Sequence, residues 1–314
     1  MTTVRRLAGP AFLLPLLLLL GVCVQVSAAV AEPVPTLEQA LDQLGRYRFP
    51  EARQALALVR QAADPASETW RRATYGLALA HQHEPAASAE MTATAKTLHD
   101  ELWQRGTGTP EAVHAAIQLG RIAHLRDYFK DQPDLSAARD WYGKAIAAAG
   151  SDVIASQAVI YLASAWIEEL TPDGFAEAER VLTGWLSAHP QDPQAALLWM
   201  TLAELRHVYR NDPKGAVEAL RLVDQLHGPI SLHWKVVWRM GAIAQDELKD
   251  RELAVACFRA IATNYLRSGK ADAARARLVE LGVEPPPLPK TLWENQGEPG
   301  PVKVIPLAAV EAKP

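Results

Sequence analysis

The sequence predicts an all-α protein, an α-solenoid of about six helical hairpins closed by a capping helix. Three observations predict it. A pattern Ala-x3-bulky-x2-apolar returns as Ala138-Tyr142-Ala145, Ala178-Leu182-Trp185, Ala216-Leu220-Val223 and Ala254-Phe258-Ile261, its alanines 40, 38 and 38 residues apart. On a helix the alanine and the residue four later share a face, so one marks a close helix contact and the other fills the adjoining gap. Alternating apolar runs of strand period are absent. Breaks rich in Asp, Pro and Gly punctuate the chain at Thr171-Pro172-Asp173-Gly174, Gln191-Asp192-Pro193, Asn211-Asp212-Pro213 and His227-Gly228-Pro229.

The elements follow in order. Glu32 to Pro35 is a short lead, and Thr36 with Gln39 three residues on forms a capping box. The first hairpin runs through Leu41, Leu44, Tyr47, Ala52 and Leu56. The second opens at Ser67 with Trp70, Ala73, Tyr75-Gly76 and Leu79, continues from Pro85 to Trp103, and ends at Gly106-Thr107-Gly108-Thr109-Pro110. The third carries Leu119-Gly120 and Ala123, then Ala138-Tyr142-Ala145. The fourth uses Tyr161, Ala165 and Trp166, then Ala178, Leu182 and Trp185, and stops at His189-Pro190. The fifth uses Trp199, Leu202 and Ala203, then Ala216 to Val223. The sixth uses Trp234, Val237, Trp238 and Gly241, then Ala254 to Tyr265, and the helix from Ala271 to Leu281 caps the stack.

The ends have different compositions. Arg5 and Arg6 precede an uncharged, leucine-rich stretch from Ala11 to Val26. Ala29-Val30-Ala31 is an A-x-A cleavage site, with Val26-Ser27-Ala28 as a second. Residues 1–31 are expected to be a cleaved signal peptide, making the protein exported, periplasmic or secreted. Two alternatives are an uncleaved membrane anchor from Leu7 to Ala31 and a lipoprotein joined through Cys23 in Leu20-Gly21-Val22-Cys23. Contact with a membrane is expected only if this segment is retained. At the other end, Pro285-Pro286-Pro287, Pro289 and the Gly297 to Pro301 stretch cannot build a core, so residues 284–314 read as an extended or disordered tail. The repeat domain thus spans residues 36–281.

Net charge is −4 and no basic stripe exists, which argues against nucleic acid as a partner. Of two cysteines, Cys23 leaves with the signal and Cys257 lies beside Phe258 on an apolar helix, where it reads as buried and inert.

The repeats resemble the tetratricopeptide family. Leu119-Gly120 with Ala123 and Met240-Gly241 with Ala244 match its first helix. Ala138-Tyr142-Ala145 and Ala254-Phe258-Ile261 match its second, and Pro190 closes a repeat. Residues 138–145 also resemble the related Sel1-like repeat. The period exceeds the usual ~34 of the family, and the extra residues are expected in the turns Tyr128 to Leu135 and Tyr209 to Gly215. The run Phe258, Ile261, Tyr265, Ser268, Ala271, Ala274 and Leu278 is similar to bacterial envelope repeat proteins of the Tol-Pal coordinator and outer-membrane assembly type. The resemblance implies a right-handed solenoid whose first helices line a concave groove for a protein or peptide. In the family's register the groove residues are His114, Arg121, Thr201, Glu204, Trp238, Gln245 and Asp246.

No catalytic, cofactor or metal constellation is present. His81-Gln82-His83-Glu84 ends a helix, where side chains two apart point about 200° from each other and do not chelate together. The C-x-x-C, H-E-x-x-H, G-x-S-x-G and phosphate-loop patterns are absent. Glu168-Glu169 reads as a solvated helix face. Of the nine tryptophans, Trp141, Trp166, Trp185 and Trp199 fall at packing positions. Trp238 sits four after Trp234 on one face, and Trp293 stands in the polar tail. Trp293 either docks back on the repeats, anchors another protein or is merely tolerated. The expected function is binding of a protein or peptide without catalysis or cofactor; the alternative is a self-associating assembly protein of the cell envelope.

Overall fold

The computed structural model describes residues 34–85, 87–125, 133–149, 153–226 and 230–288. Among these residues there are thirteen α-helices and no strand. The helices are α1 (Leu37–Gly45), α2 (Phe49–Ala62), α3 (Glu68–His83), α4 (Ala89–Arg105), α5 (Pro110–His124), α6 (Leu135–Ala149) and α7 (Val153–Ile167). They continue as α8 (Pro172–Ala188), α9 (Ala195–Glu204), α10 (Pro213–Gln225), α11 (Ile230–Ile243), α12 (Arg251–Asn264) and α13 (Ala271–Glu280). None is long and apolar enough to cross a membrane. The segment expected to be a signal peptide, Cys23, most of the expected turn from Tyr128 to Leu135, most of the tail and Trp293 lie outside the described residues.

Local sequence sets the helix starts. Thr36, Ser67, Ser88, Thr109, Thr171, Asp212 and Asp250 each accept a hydrogen bond from the backbone three residues on, satisfying one orphan N–H of the first turn. Thr36 and Gln39 complete the capping box in both directions. The sequence places the start of α4 at Pro85; Ser88 caps it instead.

Packing follows chain order. Each helix lies against the next, and α1–α3, α3–α5, α5–α7 and α7–α9 also touch. The Ala-x3-bulky-x2-apolar pattern is the buried stripe of the even-numbered helices. Ala138, Tyr142, Ala145, Ala178, Leu182, Ala216, Ala254, Phe258 and Ile261 are fully buried, Leu220 and Val223 nearly so, and Trp185 only partly. The glycines of the odd-numbered helices receive the rings of this stripe. A Cβ on Gly120 would lie 2.5 Å from Tyr142, and one on Gly241 would lie 3.0 Å from Phe258. Cys257 is fully buried beside Phe258.

A second periodicity is geometric. Tyr47, Leu170, Asn211 and Lys249 have φ of 60°, 53°, 50° and 56°. Each stands immediately before the capping residue of an even-numbered helix: Arg48, Thr171, Asp212 or Asp250. The left-handed residue reverses the chain in one step. The long period is absorbed partly inside the helices. Single π-helical turns, Leu205–Tyr209 and Ala244–Leu248, prolong α9 and α11. After them the Asp212 N–H reaches the Arg206 carbonyl at 2.8 Å, and the Asp250 N–H reaches that of Ala244 at 2.9 Å. The sequence assigned the extra residues after α9 to a turn from Tyr209 to Gly215; only residues 210–212 are non-helical there.

The chain beyond α13 is held further than its composition suggests. Leu281 and Val283 pack on the last core cluster, and an Arg275 guanidinium N–H donates to the Pro286 carbonyl at 2.5 Å.

Candidate functional site

The odd-numbered helices bring polar and aromatic side chains together between α3, α5 and α7. An open pocket of about 500 Å³ lies between α5, α6 and α7. Helix α5 supplies Arg121 and His124, α6 supplies Tyr142, and α7 supplies Tyr161 and Ser164, with Glu168 just past its end. The rings of Tyr142 and Tyr161 are stacked with centroids 5.5 Å apart. The Arg121 guanidinium lies over Tyr161 at 5.6 Å, a distance that suits a cation–π contact.

His124 is fixed from both ends. Its Nε2 lies 2.8 Å from Glu168 Oε2 and its Nδ1 lies 3.1 Å from the Tyr142 hydroxyl. A carboxylate only accepts, so Nε2 carries a proton; in the neutral ring the Tyr142 O–H donates to Nδ1. This acid–imidazole–hydroxyl chain has the order of a proton relay. Its hydroxyl is out of reach, because Tyr142 is fully buried. Burial also raises the Tyr142 pKa, outweighing the pull of Arg121, so the phenol stays protonated. The chain therefore orients residues and offers no nucleophile.

A second chain holds Arg121. Buried His99 on α4 bonds Gln82 Oε1 at 3.2 Å, and Gln82 Nε2 donates to Gln118 Oε1 at 3.1 Å. Gln118 Oε1 also accepts from Arg121 Nη1 at 3.3 Å, and Gln118 hydrogen-bonds the Tyr75 hydroxyl. Burial, with His83 adding like charge, pushes His99 down to about 3, so it is neutral near pH 7. Burial raises the Tyr75 pKa. The His83 pKa is lowered by burial and then by the positive charge of Arg121. Among the described residues no carboxylate pairs with Arg121.

The remaining sequence-predicted residues fall elsewhere on the odd-numbered helices. His114, two helical turns before Arg121 on α5, sets its ring 5.6 Å from Tyr75. On α9, Thr201 donates to the Leu197 carbonyl, and Glu204 pairs with Arg239 of α11. Trp238 packs at 5.4 Å on Phe258 with the Lys270 ammonium 4.7 Å from its ring. Gln245 and Asp246 lie in the π-helical turn after α11; Asp246 pairs with Arg277 at 2.8 Å, and Gln245 reaches Glu280 at 3.5 Å. His207 joins the same lattice, 2.6 Å from Glu247. From α9 to α13 the charges on this face answer one another, whereas Arg121 has no such answer.

The structure thus unites Arg121 with six residues that the sequence did not single out as a site: His124, Leu125, Tyr142, Tyr161, Ser164 and Glu168. A signal existed on α7. Tyr161, Ser164 and Glu168 stand at i, i+3 and i+7, a polar stripe on an otherwise apolar helix. His81 and His83 end α3, and no group of three or more metal-ligating side chains occurs among the described residues. No family model matches this sequence, and no curated protein matches it.

Proposed function

We propose that this is an exported, right-handed, tetratricopeptide-like α-solenoid that recognises a protein or peptide on its odd-helix face, without catalysis. The repeated buried stripe, the recurring left-handed turn and the contacts between successive odd-numbered helices support the solenoid. The leucine-rich segment and A-x-A site support export. One observation carries the binding reading: Arg121 is held by Gln118 and Tyr161 inside an open aromatic pocket and has no carboxylate partner among the described residues. A preset, unneutralised guanidinium is a recognition element; paired ones mostly hold helices together.

The test is co-purification of the tagged full chain from its host envelope. Arg121→Glu is compared with Leu58→Glu, an exposed position on α2. Selective loss of a stoichiometric partner from the Arg121 variant supports the reading. Equal recovery with both variants refutes the placement of the site. Mass that grows with concentration in the isolated wild type, with no partner recovered, favours the self-assembling alternative.

A further inference from the structure

The pocket beside Arg121 has two opposite poles that do not satisfy each other. Arg121 and Glu168 line the same pocket, yet Glu168 pairs with His124 and not with Arg121. His124 lies three residues after Arg121 on α5, so the two share a face. The cation and the carboxylate are therefore held apart by one imidazole. Arg121 spends a single N–H on Gln118 Oε1 and retains the rest of its donor fork. At the other pole every free capacity is an acceptor. Glu168 gives Oε2 to His124 and Oε1 bonds no described residue. Ser164 uses its hydroxyl proton on the Ile160 carbonyl at 2.9 Å, so its oxygen can only accept further. Between the poles stand the stacked rings of Tyr142 and Tyr161.

The ligand chemistry follows from this pattern. A lone carboxylate leaves the acceptor pole unmatched. A phosphate dianion meets the Glu168 charge across the pocket. A neutral peptide backbone brings neither charge. A group with an anion and a cationic donor on one carbon answers both poles. The cavity, about 500 Å³, lies within the range of small-ligand sites.

We propose that this pocket binds a free α-amino acid, its carboxylate on Arg121, its ammonium on Glu168 and Ser164, and its side chain along the partly exposed ring of Tyr161. The chain Gln82–Gln118 is then a positioning device for the guanidinium. This inference rests on the same Arg121 pocket as the partner reading and names a ligand for it; the two fail separately, because titration with free amino acids needs no second protein and co-purification needs no amino acid.

The test is calorimetric titration of the full chain with each proteinogenic L-amino acid in turn at millimolar concentration. The best binder is then compared with its own amide, which lacks the carboxylate, and its N-acetyl form, which lacks the ammonium. Each derivative is expected to bind about tenfold more weakly or worse, the effect of one lost charged hydrogen bond. Arg121→Met is expected to lose discrimination against the amide, and Glu168→Gln against the N-acetyl form, each with an unchanged circular dichroism spectrum. Equal binding of the N-acetyl form overturns the Glu168 pole and reduces the site to an anion anchor. No heat from any amino acid with the folded wild-type chain overturns the proposal outright, whatever the variants do.

Discussion

Substituting Gly120 by alanine is expected to destabilise the protein, while the same change at Gly143 is expected to stabilise it. Both glycines lie inside helices, α5 and α6. In a helix interior alanine is favoured over glycine by about 0.8–1 kcal/mol. At Gly143 nothing lies within 4 Å of the added Cβ, so most of that gain is realised. At Gly120 the Cβ falls 2.5 Å, 2.7 Å and 3.0 Å from three atoms of the Tyr142 ring. Carbon atoms settle near 3.5–4.0 Å, so about 1 Å must be found. The ring cannot supply it freely: it is fully buried, stacked on Tyr161 and bonded to His124. Overpacking of this kind costs about 1–3 kcal/mol, leaving a net loss of up to about 2 kcal/mol after the helical gain. Denaturant melts followed by circular dichroism report both signs, and each kcal/mol moves the thermal midpoint by about 2–4 °C. Tyr142→Leu in the Gly120→Ala background is expected to recover part of the loss. A Gly120→Ala protein as stable as wild type would show that Tyr142 does not seat on Gly120, and the pocket floor built on that contact would fall with it.

Other expectations test separate features. Leu170 is exposed and has φ of 53°; Leu170→Gly should stabilise by about 0.5–1 kcal/mol and Leu170→Val destabilise, and a loss with glycine removes the left-handed turn from the repeat. His99 has a folded pKa of about 3, below its ordinary 6.5. Between those values the unfolded chain binds the extra proton, so stability is full above about 6.5 and falls as pH drops toward 3. His99→Phe, though weaker at neutral pH through the lost Gln82 bond, should flatten that acid slope by about one proton; an unaltered slope in urea melts from pH 7 to 4 contradicts it. Truncation after Leu288 should leave the melting temperature unchanged, whereas truncation after Val283 also removes the Arg275–Pro286 bond and should cost about 0.5–1.5 kcal/mol; identical melts would place the boundary at Val283.

The even-numbered helices were legible because their information is local. One alanine stripe per helix, read at i and i+4, gives the buried face without knowledge of its neighbour, and capping residues such as Ser67 and Thr171 are read within four positions. The π-helical turns were not legible. Widening one turn by a residue changes a hydrogen-bond register and leaves no compositional mark, so Leu205–Tyr209 read as the approach to a loop. The hold on Pro286 was hidden for a similar reason: a proline-rich segment has no propensity to fold alone, but its carbonyls can still be taken by an arginine eleven residues earlier.

The site was illegible by composition yet has a logic in the period. Ion pairs on this protein repeatedly join residues about one repeat apart: Arg71 with Glu111 and His207 with Glu247, 40 residues each, and Arg60 with Glu101, 41 residues. In these three pairs the basic group is answered by an acid about one period downstream, whereas Arg239 and Arg277 are answered by acids upstream, Glu204 and Asp246. Arg121 is paired in neither way among the described residues. The residue 40 positions later is Tyr161, whose ring the guanidinium overlies, and the nearby acid, Glu168, is diverted to His124. Glu204 and Asp246 looked equally available in sequence, but Arg239 and Arg277 close on them from the following odd-numbered helix. On the proposed reading, what marks Arg121 out is not its type or exposure but the identity of its counterpart on the neighbouring odd-numbered helix, an aromatic ring in place of an acid. Tyr161→Glu turns that difference into an experiment. Supplying the missing acid should pair Arg121 internally, with little change in helix content, and should weaken binding in the pocket as much as removing Arg121 does. Undiminished binding in the Tyr161→Glu protein would mean that the unanswered charge is not what the pocket uses.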